Sequence, residues 1–66
     1  MRADKSKLEM VMARECMRLS DIAKKAKMPE PSVKNVLYGR SVKPCTFGKV
    51  CKALNIDPIE IIAKED

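Results

Sequence analysis

The chain has 66 residues, 14 Lys and Arg against 9 Asp and Glu, no histidine and a net charge of +5. That length allows one small domain and excludes a two-domain enzyme with a substrate cleft. No run approaches about 18 apolar residues. Leu8 to Met17 is broken by Glu9, Arg14 and Glu15, which excludes a membrane span and a signal-peptide core.

Hydrophobic residues make up 45% of the chain, which argues against disorder. Only Tyr38 and Phe47 are aromatic, so the core is expected to be aliphatic and Met-rich. Residues 1–5 read as a loose, basic N-terminus. Ser6 is the expected N-cap of a helix from about Lys7 to Met17. Its apolar residues form two stripes at helical spacing: Leu8, Val11, Met12 and Cys16, or Met10, Ala13 and Met17. Periodicity does not choose between them.

Ser20 reads as the next N-cap, with Asp21 favourably placed at the helix N-terminus. That helix runs to about Ala26, with Ile22, Ala23 and Ala26 on one face. Pro29 disfavours helical backbone at Met28, so Lys27-Met28-Pro29 is a turn. A third helix spans about Glu30 to Tyr38, with Pro31 in its first turn. Val33, Val36 and Leu37 form its buried stripe, and Gly39 is placed for a left-handed cap. Arg40 to Lys43 form a basic loop.

Pro44 opens a fourth helix to about Leu54 that buries Phe47, Val50, Cys51 and Leu54. Gly48 inside it costs roughly 1 kcal/mol against Ala, which predicts close backbone packing there. Asn55 is a C-terminal cap. Asp57 caps a last helix that starts at Pro58, carries Ile59, Ile61 and Ile62, and frays at Lys64-Glu65-Asp66. Five short helices in a single domain over 1–66 predict an all-α, five-helix bundle.

Cys16, Cys45 and Cys51 have no metal-like spacing, and the chain lacks histidine. Cys45 and Cys51 on one helix stand about 9 Å apart along its axis, too far for a bridge. Three free thiols fit a reducing cytoplasm, with Cys16 and Cys51 expected as small buried side chains. No metal or cofactor is called for. The charge is uneven: residues 1–20 carry +2, residues 21–43 carry +4 and residues 44–66 carry −1. A basic middle third attracts a polyanion.

Leu19 to Gly39 reads LSDIAKKAKMPEPSVKNVLYG. Two short helices joined by a short turn outline a helix-turn-helix with its core at 19–39. Small Ala23 lets the second helix cross closely, Met28, Val33 and Val36 fill the angle, and the outer face stays polar. Here the chain resembles the Xre/Cro-type helix-turn-helix proteins, which include the phage lambda repressor. Their pattern is, loosely, LSxxxLAxxxGVSxxxISxxExG, a loop, then xxIAxALxV. Leu19-Ser20, Ile22-Ala23, Val33, Gly39, the run from Val50 to Ile56, and Ile61-Ile62 are the matches. The resemblance covers residues 8–62 and implies a lambda repressor-like domain. Counting back from Leu19, it puts the buried positions of the first helix at Met10, Ala13 and Met17, and leaves Leu8, Val11, Met12 and Cys16 partly spare.

Three departures carry consequences. Lys27 stands where the family has a turn glycine, and a left-handed Lys costs roughly 1 kcal/mol, so the turn is expected to differ locally. Asp21 and Glu30 are matched to the family's DNA-contacting glutamines, so that contact pair does not carry over. The family's helix-1 Arg matches Arg14, and its Glu partner matches Leu37. Arg14 therefore needs another partner or is exposed.

The resemblance implies a sequence-specific, non-enzymatic DNA-binding protein, a transcriptional regulator of repressor type. It would insert helix 30–38 in the major groove of double-stranded DNA. Ser20 and Asp21 would lie near the DNA backbone. Glu30, Ser32, Lys34, Asn35 and Tyr38 would face the groove. Lys34 suits guanine O6/N7, Asn35 adenine N6/N7, and Glu30 cytosine N4. Arg40, Ser41 and Lys43 would clamp phosphates, with Lys24, Lys25 and Lys27 peripheral. A homodimer on DNA is expected, using the spare stripe of helix 1 and the Ile59, Ile61 and Ile62 helix. The alternative is a protein-interaction module, such as an antitoxin-like partner, whose DNA binding the two acids have weakened. With no histidine and no paired carboxylates in a cleft, an enzyme is not expected.

Overall fold

The computed structural model describes residues 1–63. Four α-helices run in order: α1 Lys5–Glu15, α2 Leu19–Ala26, α3 Glu30–Leu37 and α4 Pro44–Ala53. The fifth expected helix is a single 3-10 turn, Pro58–Glu60. It stops because the chain leaves helical geometry to pair with the N-terminus. Asp4 N–H donates to Ile61 O at 2.7 Å, and Ala63 N–H donates to Arg2 O at 3.0 Å. Lys64-Glu65-Asp66, where fraying was expected, lie outside the described residues.

The N-terminus is therefore not loose. The Met1 ammonium donates to Val42 O at 2.7 Å. Val42 N–H returns a bond to Met1 O at 2.8 Å. Ala3 is buried and bridges Ile62. The first residues thus lace the loop after α3 to the end of the chain.

Two helices start upstream of the expected positions. Asp4 caps α1, accepting from Lys7 N–H at 3.1 Å, and Ser6 lies inside the helix. The N-cap of α2 is Arg18, whose N–H donates to Asp21 Oδ2 at 2.9 Å; Ser20 is not the cap. That hydrogen bond, with the Arg18 charge adding to it, lowers the Asp21 pKa. The cap's contribution is present at neutral pH and is lost as pH falls through that lowered value.

This start resets the register of the resemblance. The pattern places three residues between its Leu-Ser and its Leu-Ala. Ile22-Ala23 fill the second pair and are buried. The first pair then falls on Met17-Arg18, two residues before Leu19-Ser20. The same shift moves the buried positions of α1 from Met10 and Ala13 to Leu8 and Val11. Leu8 is 1% exposed and Val11 7%, whereas Met10 is 73% exposed. Ala13 is exposed, and Met17 packs at the edge of the core.

The shift also moves the pattern's helix-1 arginine from Arg14 to Met12. Met12 and Leu37 line one shallow cleft together with Lys5 and Glu9. An apolar pair occupies the place of the family's ion pair. Arg14 has other partners: its Nε lies 3.2 Å from Glu15 and its guanidinium 3.8 Å from Glu60.

Phe47, Val50, Cys51 and Leu54 of α4 are buried as expected, against Ile22, Val33 and Val36. Burial, joined by the negative charge of Asp57, pushes the Cys51 thiol up to about 11. Cys16 is exposed, contrary to expectation. It adopts the left-handed conformation that closes α1, which turns it outward. Gly48 is not closely packed, since a Cβ there would meet nothing within 4 Å. Gly48→Ala is therefore expected to stabilise the fold by about 1 kcal/mol in urea unfolding. An unchanged or lowered midpoint would contradict this.

Candidate nucleic-acid interface

The turn between α2 and α3 keeps the left-handed residue of the family pattern despite its lysine. Lys27 has φ 56° and ψ 46°. Its N–H donates to Lys24 O, and Met28 N–H donates to Ala23 O at 3.0 Å. The expected local difference is absent, because these two bonds terminate α2 and offset the roughly 1 kcal/mol cost of the conformation. Buried Ala23 on α2 and buried Val33 and Val36 on α3 set the crossing.

With Val33 and Val36 inward, α3 presents Glu30, Pro31, Lys34 and Tyr38 to solvent, while Ser32 and Asn35 are half-buried. Pro29 and Pro31 fix the start of the helix; Pro29 O accepts from Ser32 N–H at 3.1 Å. Ser20, Lys24, Lys27 and Glu30 line one shallow cleft beside Met28. The structure thus brings Ser20 and Glu30 together, and it adds two lysines that sequence reasoning held peripheral. Asp21 is spent on the α2 cap.

At the other end of α3, Gly39 turns left-handed at φ 74°. Arg40 folds back, and its guanidinium donates to Asn35 Oδ1 at 3.0 Å. Ser41 and Lys43 follow, both exposed, and Lys43 is the N-cap of α4. Lys5 stands over the Tyr38 ring with its ammonium 5.6 Å from the centroid. Lys5 adds to the basic residues expected from the sequence; its basic character is the only local signal, since nothing along the chain brings residue 5 to residue 38. Among the described residues, carboxylate ion pairs involve only Arg14 and Arg18. Lys24, Lys27, Lys34, Arg40 and Lys43 are exposed cations on or beside the helix-turn-helix.

Among the described residues, no group of three or more Cys, Asp or Glu side chains is placed to hold a metal. No helix there is long and apolar enough to cross a membrane.

Similar folds occur within larger proteins. A variant of hydroxyethylphosphonate dioxygenase matches with a TM-score of 0.82 at 23% identity. PhpD with cadmium, complexed with hydroethylphosphonate, and native PhpD with cadmium atoms each match with a TM-score of 0.81 at 23% identity. Each match covers 100% of this chain but 14% of the other, so the likeness is one of fold alone. No curated protein matches the chain. Residues 7–66 match the Cro/C1-type HTH DNA-binding domain, and the chain belongs to that family.

Proposed function

We propose that the chain is a sequence-specific, non-enzymatic transcriptional regulator of Xre/Cro type that lays α3 in the major groove of duplex DNA. The observation that carries this reading is the α3 surface. Its outward face is polar and holds Lys34, with Lys24 and Lys27 at one end and Arg40 and Lys43 at the other. A helix about 10–12 Å across fits a groove about 12 Å wide. Cations at both ends then meet the two flanking phosphate backbones. In the protein-interaction alternative an apolar stripe binds a partner while Asp21 and Glu30 weaken DNA binding; Asp21 keeps its charge but directs it to the α2 cap, and Leu8 and Val11 of that stripe lie in the core.

The reading includes cytoplasmic action and a homodimer on DNA, with half-sites about 34 Å apart. The apolar surface for that contact is smaller than expected, because Leu8, Val11 and Ile61 lie in the core. Met10 and Ile59 (75% exposed) remain, on elements joined by the Arg14–Glu60 pair.

Fluorescence anisotropy of labelled duplex DNA tests the reading. Lys34→Ala and Lys43→Ala are each expected to weaken binding. Loss of a phosphate contact by Lys43→Ala should also lower the salt slope by about 0.9. Unchanged affinity in both variants would contradict the placement of α3.

A further inference from the structure

We infer that Arg40 is a positioning residue that fixes the side-chain amide of Asn35 and thereby makes Asn35 a reader of guanine rather than adenine. The inference rests on the DNA-reading function proposed above and assigns one of its specificity contacts.

The geometry begins at Gly39. Its left-handed backbone lets Gly39 N–H donate to Val36 O at 3.1 Å and Arg40 N–H donate to Asn35 O at 3.0 Å. This doubles the chain back and sets Arg40 directly over Asn35. A side chain at Gly39 would be strained at that φ and would press within 3.3 Å of Ala3 O, so the bend is held from two sides. Asn35 is then gripped twice. Its backbone carbonyl takes the Arg40 N–H, and its Oδ1 takes the guanidinium at 3.0 Å.

The orientation of the amide follows from chemistry. Arginine carries five N–H donors and no acceptor, so only the oxygen of Asn35 can face it. The Nδ2 group, with two donors, is left for the groove. An unrestrained Asn pairs with adenine by accepting from N6 and donating to N7. Here one lone pair of Oδ1 is taken by Arg40, and the guanidinium charge beside it repels the partial positive charge of an adenine amino group that would approach the other. Guanine presents two acceptors, N7 and O6, on the same edge. The donors of Nδ2 match that edge, and the guanidinium charge favours it. The adenine contact expected from sequence alone is replaced accordingly.

Selection of bound duplexes from a random pool, run with the native chain, Asn35→Ala and Arg40→Ala, tests the inference. Asn35→Ala is expected to erase the base preference at one position of the site, and the native chain to select guanine there. Arg40→Ala is expected to move that position toward adenine by about tenfold in relative preference, leaving the other positions unchanged. A general loss of affinity with guanine retained would make Arg40 a phosphate contact only and overturn the inference. So would an Asn35→Ala site identical to the native one. If the native chain enriches no sequence at all, the DNA-reading function itself fails, which the other two outcomes leave standing.

Discussion

Phe47→Ala is expected to leave the chain largely unfolded at 25 °C. Phe47 is the largest of the fully buried side chains. It enters from the first turn of α4, where its N–H is bonded to Lys43 O at 3.0 Å, so it cannot swing away without unwinding the helix start. Removing a buried Phe side chain costs about 3–5 kcal/mol. A domain of this length holds a total of roughly 3–10 kcal/mol, and a small core of aliphatic side chains places it toward the low end. Far-UV circular dichroism through a urea titration measures the effect. A helical signal and a midpoint close to those of the native chain would show that Phe47 does not anchor the core.

The second large effect concerns Met12 and Leu37, the apolar pair at the place of the family's Arg–Glu pair. Leu37→Glu puts a carboxylate against Met12 in a half-buried cleft, at an expected cost of about 2 kcal/mol. Met12→Arg buries part of a cation without a partner and is expected to cost about 1–2 kcal/mol. The double substitution restores the pair, so its destabilisation should fall short of the sum by at least about 1 kcal/mol. Breaking one member of such a pair is costly, whereas an apolar pair of similar volume serves equally well or better. That asymmetry explains how this chain dispenses with the charges. Strict additivity in the cycle would mean that residues 12 and 37 do not form a unit.

Much of this architecture was legible along the chain. Pro31, Gly39, Pro44, Asn55 and Pro58 each act through their own backbone preferences, and the helix boundaries they mark stand within about two residues. The stripes of α3 and α4 were legible because each has one apolar face. Helix α1 has two, and the choice between them depended on the register of the next helix. That register was hidden because Arg18 caps α2 without a capping side chain and because Leu19-Ser20 imitates the pattern. Cys16 was unreadable as a left-handed cap, since nothing in its side chain favours that conformation. The pairing of Met1 with Val42 and the seat of Lys5 over Tyr38 join distant parts of the chain, and only the folded structure brings them together. At the candidate interface, the exposure of Glu30, Lys34 and Tyr38 was readable, while the use of Asp21 as a cap and the hold of Arg40 on Asn35 were not.

Sequence-specific binding is tested most directly by comparing the native chain on its pool-selected duplex and on a scrambled duplex of equal length, each titrated across salt. The selected sequence is expected to be preferred about a thousandfold. Affinity is expected to fall steeply as salt rises, by a slope of about 0.9 per phosphate contact. Equal affinity for the two duplexes, or no binding to either at low salt, would contradict sequence-specific binding.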